Sequence, residues 1–147
     1  KKQLSLIGWR EWISLPDLDV DKISAKVDTG ANTSSLYATH IKVFERDGSE
    51  YAKFRVTYGK PSNRKYSTAE APLAGFRKVR SSSGETEERP VIETAICIMG
   101  QCWKSEITLT SRQSMQFAML LGRACLRKRF IVDPSRANLS AKQEVVI

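Results

Sequence analysis

An all-β barrel or sandwich is the fold that these 147 residues predict, and three observations point to it. Short apolar runs rich in Ile, Val, Leu and Trp recur along the chain. Two joints between them, Asp47-Gly48 and Met99-Gly100, carry turn residues suited to tight hairpins. Residues 91–98 alternate, with Ile92, Thr94, Ile96 and Ile98 set against Glu93, Ala95 and Cys97, as on a strand with one buried face.

Taken in order, residues 4–15 are rich in Leu, Ile and Trp and stop at Pro16. Lys26 and Val27 mark the end of a further strand. Residues 41–45 and 51–58 flank Asp47-Gly48, and residues 91–98 and 102–109 flank Met99-Gly100. A short apolar run at 119–121 is bounded by Gly122. One short helix is expected within 123–128, then a last strand at 130–132 before Asp133-Pro134. Residues 60–65 and 81–88 form two polar loops, the second fit to be the tip of a long hairpin. No repeat or internal boundary is visible, so residues 1–147 are read as a single domain.

A hydrophobic content of 41% is enough for a core without a metal or disulfide staple. No apolar run approaches the ~18 residues of a membrane span. The start, KKQLSLIGW, is basic, but its apolar patch is broken and lacks a small-residue cleavage signal. A cytoplasmic location is expected, or a periplasmic one if a leader has been removed. Lys and Arg outnumber Asp and Glu by 24 to 16, a net charge of +8. The clusters Arg77-Lys78-Val79-Arg80 and Arg123 with Arg127-Lys128-Arg129 suit a solvated basic surface or acidic substrates. Neither is interleaved with aromatics as a nucleic-acid platform would be, so no nucleic-acid partner is expected. Three cysteines make no disulfide framework. Cys97 and Cys102 face each other only if the intervening loop has two residues, and buried free thiols are the favoured reading for all three.

One carboxylate stands in an unusual frame: Ala25-Lys26-Val27-Asp28-Thr29-Gly30-Ala31-Asn32-Thr33-Ser34-Ser35-Leu36. Gly30 permits a tight turn that exposes Asp28 at a loop tip, where backbone N–H groups can reach its carboxylate. An isolated Asp-Thr-Gly is most simply an Asx turn. A second element, Leu120-Leu121-Gly122-Arg123-Ala124-Cys125-Leu126, changes that weighting. Together, in this order, the two resemble the catalytic loop and the crossing segment of retropepsin-like aspartic peptidases. Residues 7–18, Arg89-Pro90-Val91-Ile92, Leu109-Thr110-Ser111-Arg112 and Val132-Asp133-Pro134 are similar to one bacterial branch, which commonly carries the label of an ATP-dependent zinc protease.

The resemblance implies a retropepsin-like (acid-protease) closed β-barrel with one short C-terminal helix, and an aspartic endopeptidase. Zinc and ATP are not expected. The chain has one histidine, His40, no His-Glu-x-x-His run, no Cys-x-x-Cys pair and no phosphate-cradling Gly-x-x-x-x-Gly-Lys motif. Asp17-Leu18-Asp19-Val20-Asp21 imitates the opening of a calcium loop but has Lys22 where that loop needs Gly. The chain is thus read as free of cofactors and metals. Aspartic peptidases work with two carboxylates roughly 3 Å apart. With one Asp-Thr-Gly per chain, a homodimer must bring two copies of Asp28 together.

By the same resemblance, Thr29 bonds across the twofold axis and Gly30 and Ala31 offer backbone groups to substrate. Gly122 packs beneath the loop without room for a side chain. Asn32 stands where an acidic partner for Arg123 is common, leaving a weaker neutral–ionic contact. The hairpin 76–89, with Ser83 and Gly84 at its tip, takes the place of the flap, and residues 39–75 are added material. The expected partner is a peptide or protein substrate, acidic or glutamate-rich. A catalytically silent peptide-binding or assembly module of the same fold is the alternative.

Overall fold

The computed structural model describes residues 4–60, 62–80, 83–111 and 117–140. Eleven strands and one short α-helix follow in the order β1 (Ser5–Gly8), β2 (Arg10–Leu15), β3 (Val20–Val27), β4 (Ser34–Tyr37), β5 (Thr39–Arg46), β6 (Ser49–Lys60), β7 (Asn63–Arg80), β8 (Thr86–Ile98), β9 (Gln101–Thr110), β10 (Met119–Leu121), α1 (Arg123–Leu126) and β11 (Phe130–Asp133). A 3-10 turn, Pro16–Leu18, joins β2 to β3. The main sheet runs β2-β3-β10-β4-β9-β8-β7-β6-β5, and a further pairing of β2 with β8 through Ser14 and Cys97 closes its first six strands into a barrel. The fold is therefore all-β, a closed six-stranded barrel with one short helix. β7, β6 and β5 extend outward from β8, and β1 pairs with β11 in a separate parallel ribbon.

Alternation builds the core. Ile92, Thr94, Ile96 and Ile98 are all buried, as their period of two requires. Leu36, Ile107, Leu109 and Met119 meet them from β4, β9 and β10, with Ile13, Leu15, Ile23 and Ala25 from β2 and β3. Phe54 and Val56 of β6 belong to the same cluster.

Both hairpin signals give two-residue turns. Arg46 pairs with Ser49 around Asp47 and Gly48, and Ile98 pairs with Gln101 around Met99 and Gly100. All four turn residues have positive φ, which matches the right-handed twist of the strands. This geometry corrects the expectation for Cys97 and Cys102. They stand directly opposite, with Cα atoms 4.1 Å apart, and are joined as a disulfide. Cys125 is a buried free thiol, as read.

Other boundaries differ from expectation for local reasons. Residues 4–15 are two strands, because Trp9 leaves the ladder and gives its N–H to the Arg136 carbonyl at 2.8 Å. The polar stretch 60–65 is mostly the β6–β7 hairpin, with Lys60 paired to Asn63. The polar stretch 81–88 is strand from Thr86 onward, since Arg80 already pairs with Thr86. The helix stops at Leu126, and Lys128 has φ of 68°, outside helical geometry. His40 lies inside β5, where the register slips between Thr39 and Lys42.

Candidate active site

Strand order creates the site. β10 lies between β3 and β4, parallel to the first and antiparallel to the second. The connection from β3 to β4 must therefore step across the end of β10. That connection is the loop Asp28-Thr29-Gly30-Ala31-Asn32-Thr33, and Gly122 passes directly under it. A Cβ on Gly122 would lie 2.6 Å from the Thr33 carbonyl carbon and 2.7 Å from the Asn32 oxygen. Its φ of −90° is open to any residue, so glycine is required here by space alone.

Hydrogen bonds fasten the two segments together. Asp28 N–H donates to the Leu121 carbonyl at 2.9 Å, and Gly122 N–H donates to Ser34 Oγ at 3.0 Å. Arg123 N–H donates to the Ala31 carbonyl at 2.8 Å, and Ala124 N–H to the Asn32 carbonyl at 3.0 Å. Within the loop, Gly30 N–H donates to Asp28 Oδ1 at 3.0 Å, and Ala31 N–H to the Asp28 carbonyl at 3.2 Å. The Asp28 carboxylate is thus half-buried and oriented by a backbone donor, while Thr29, Gly30 and Asn32 are exposed around it. The Arg123 guanidinium does not rest on the Asn32 side chain as the sequence suggested. Its Nη1 donates to the Thr29 carbonyl at 2.9 Å, so it braces the loop through backbone rather than through a charged partner.

Ser83 and Gly84 lie between β7 and β8, exposed, with Gly84 at φ of 90°. They sit at the tip of the long hairpin. Its base touches the loop region directly. Arg77 Nη1 donates to Thr33 Oγ1 at 2.7 Å, and Arg89 Nη1 donates to Ser35 Oγ at 3.2 Å. The sequence singled out neither Thr33 nor Arg89 as site residues, and Arg77 only as part of a basic cluster. The signal available was position: each falls a few residues from a feature already assigned to the loop or the hairpin.

Asp28 does not line the cleft of about 660 Å³ that lies against Trp12, Lys22 and Met99, at the end of β8 far from the hairpin tip. Among the described residues, no three His, Cys, Asp or Glu side chains converge as a metal site would require. Nor is any helix among them long and apolar enough to cross a membrane.

A family model described as RimB-like, retropepsin-like aspartic endopeptidase RimB, matches residues 6–143. The chain belongs to this family. Among curated proteins, the RimB-like chain is 40% identical over 130 residues to a probable alpha-L-glutamate ligase of Desulfotalea psychrophila, covering 88% of itself and 28% of that protein. A protein of the same name from Shewanella halifaxensis is 38% identical over 141 residues, covering 96% of the chain and 31% of the relative. The chain thus spans less than a third of the length of these relatives. A crystal structure of Lpg0085, a protein of unknown function from Legionella pneumophila, superposes with a TM-score of 0.76 at 28% identity. The match covers 94% of the RimB-like chain and 99% of Lpg0085.

Proposed function

We propose that this protein is a homodimeric aspartic endopeptidase in which Asp28 of each subunit supplies one carboxylate of the catalytic dyad. The supporting observation is the mounting of Asp28: a half-buried carboxylate at a loop tip, held by Gly30 N–H and fixed from below by the Gly122–Arg123 crossing. In such a dyad two carboxylates roughly 3 Å apart cannot both be ionised, so they share a proton. One acts as base toward a water while the other hydrogen-bonds the scissile carbonyl. The chain holds one Asp-Thr-Gly, so the second group comes from a second copy. The β7–β8 hairpin acts as the flap that closes over an extended peptide and excludes water. An open surface around Asp28 in a single subunit fits a site of which each subunit builds half.

For substrate we propose acidic, glutamate-rich peptides. The net charge of +8 agrees in sign, and the similarity to relatives named probable alpha-L-glutamate ligases supports a glutamate-containing substrate. The same relatives favour a second reading, in which the domain only binds a peptide for an attached or neighbouring activity. The two separate cleanly. Cleavage of oligoglutamate-bearing peptides by the wild-type protein, abolished in Asp28→Asn with the fold intact, supports the peptidase. A wild-type protein that binds such peptides without cutting them, equally well with Asn at position 28, supports the binding module.

A further inference from the structure

We infer that Arg77 is a specificity-determining residue that receives the carboxylate of an acidic substrate side chain, exchanging it for the carboxylate of Glu106. This rests on the peptide-binding site proposed above and names the residue that reads the peptide.

The inference starts from the register of the flap. Arg77 on β7 stands directly opposite Arg89 on β8. Side chains opposite one another in an antiparallel pair share a face, and like charges so placed destabilise the ladder. Each is compensated by a carboxylate, but in different ways. Arg89 is packed away, with 12% of its side chain exposed, and its Nε lies 3.4 Å from Glu87 Oε2 while Nη1 holds Ser35. Its neighbours Ser35, Thr108 and Thr110 are buried and bonded among themselves and to Glu87, so Arg89 belongs to a closed polar layer.

Arg77 differs. Its side chain is 43% exposed, and Glu106, which sits 3.2 Å from Nη2, is 50% exposed. An ion pair this wet is weak and readily exchanged. Nη1 meanwhile donates to Thr33 Oγ1 at 2.7 Å, five residues along the chain from Asp28. The guanidinium is therefore oriented by the loop that carries the proposed catalytic group, and its second edge is closed by the surface carboxylate of Glu106. Its planar fork matches carboxylate geometry, so an incoming Glu or Asp side chain reproduces the bond that Glu106 now makes. A neutral amide does not.

The test compares a short oligoglutamate peptide with single Glu→Gln replacements along it. For the wild-type protein, one replacement lowers kcat/KM by about tenfold or more, the loss of a charge-assisted bond. Arg77→Gln brings that ratio near one, and Glu106→Gln, a surface change that leaves the fold alone, raises it. Binding of the same peptides to Asp28→Asn protein is measured in parallel, and the same ratios are expected in Kd. Should Arg77→Gln keep the full discrimination, or Glu106→Gln diminish it, the inference is overturned while the peptidase reading stands. If wild-type protein cuts none of the peptides but the Kd ratios follow Arg77 and Glu106, the peptidase reading fails and the inference survives. Equal Kd values for all peptides, with no cleavage, remove both.

Discussion

Gly122 shows how little tolerance the site has at a single atom. An added methyl group would meet the Thr33 and Asn32 backbone at 2.6 to 2.8 Å, and backbone cannot rotate away as a side chain can. Gly122→Ala is expected to destabilise the fold by about 2 kcal/mol or more, read as a lower urea midpoint. Any folded fraction should lose cleavage together with Asp28 alignment. Cys125, three residues further on, is 2% exposed, and burial pushes its thiol from an ordinary value near 9 to about 11. Because the folded state holds this proton more tightly, the associated stability is complete below pH 9 and is lost as pH rises through 11. The loss amounts to about 3 kcal/mol, and Cys125→Ala should flatten that part of the Tm-against-pH curve relative to wild type. The turn at Asp28 and the tight packing of Gly122 beneath it were legible in the sequence because each belongs to a short motif with its own chemical logic. Arg77 and Arg89 were not, since only the register of two strands sets them side by side on Thr33 and Ser35.

Glu11 governs how the C-terminal segment is tied to β2. Fully buried, it accepts N–H bonds from Gly8 at 2.7 Å and from Leu139 and Ser140 at 2.9 Å each. Asn138 N–H adds a bond to the Arg10 carbonyl, and Gly8 leaves space for the Arg136 carbonyl. Glu11→Ala strands three buried donors and should cost about 3 to 5 kcal/mol. Limited proteolysis should then cut near Ser135 to Ser140 well before the barrel opens. The two hairpins at Asp47-Gly48 and Met99-Gly100 were readable from turn residues alone, because positive φ at both positions is a local demand. β4 was hidden. Its sequence, Ser-Ser-Leu-Tyr, shows no alternation, since its serines are buried by bonds to Thr108, Arg89 and Gly122 rather than by apolar contact. The disulfide was equally undecidable from spacing, which fits a two-residue or a three-residue turn.

Assembly is where the proposed chemistry has its strongest requirement. If each dyad needs two chains, specific activity must rise with protein concentration and level off once the dimer is saturated. Activity titrations run beside sedimentation measurements check this, and constant specific activity for a monomer would contradict the dyad. Mixing in Asp28→Asn protein should depress activity beyond simple dilution, because mixed dimers carry a single acid. The barrel was legible as a class from its many short strands, and its closure from the family resemblance rather than from strand signals, since one pair, Ser14 with Cys97, joins β2 to β8. The outward ladder of β7, β6 and β5 leaves the barrel through β8, and β6 and β5 pair only within this ladder. Its hairpin ends lie off the barrel's hydrogen-bond circuit. Residues inserted at the β5–β6 turn are therefore expected to leave the carboxylate in its place, whereas shortening the strands themselves would remove Phe54 and Val56 from the core.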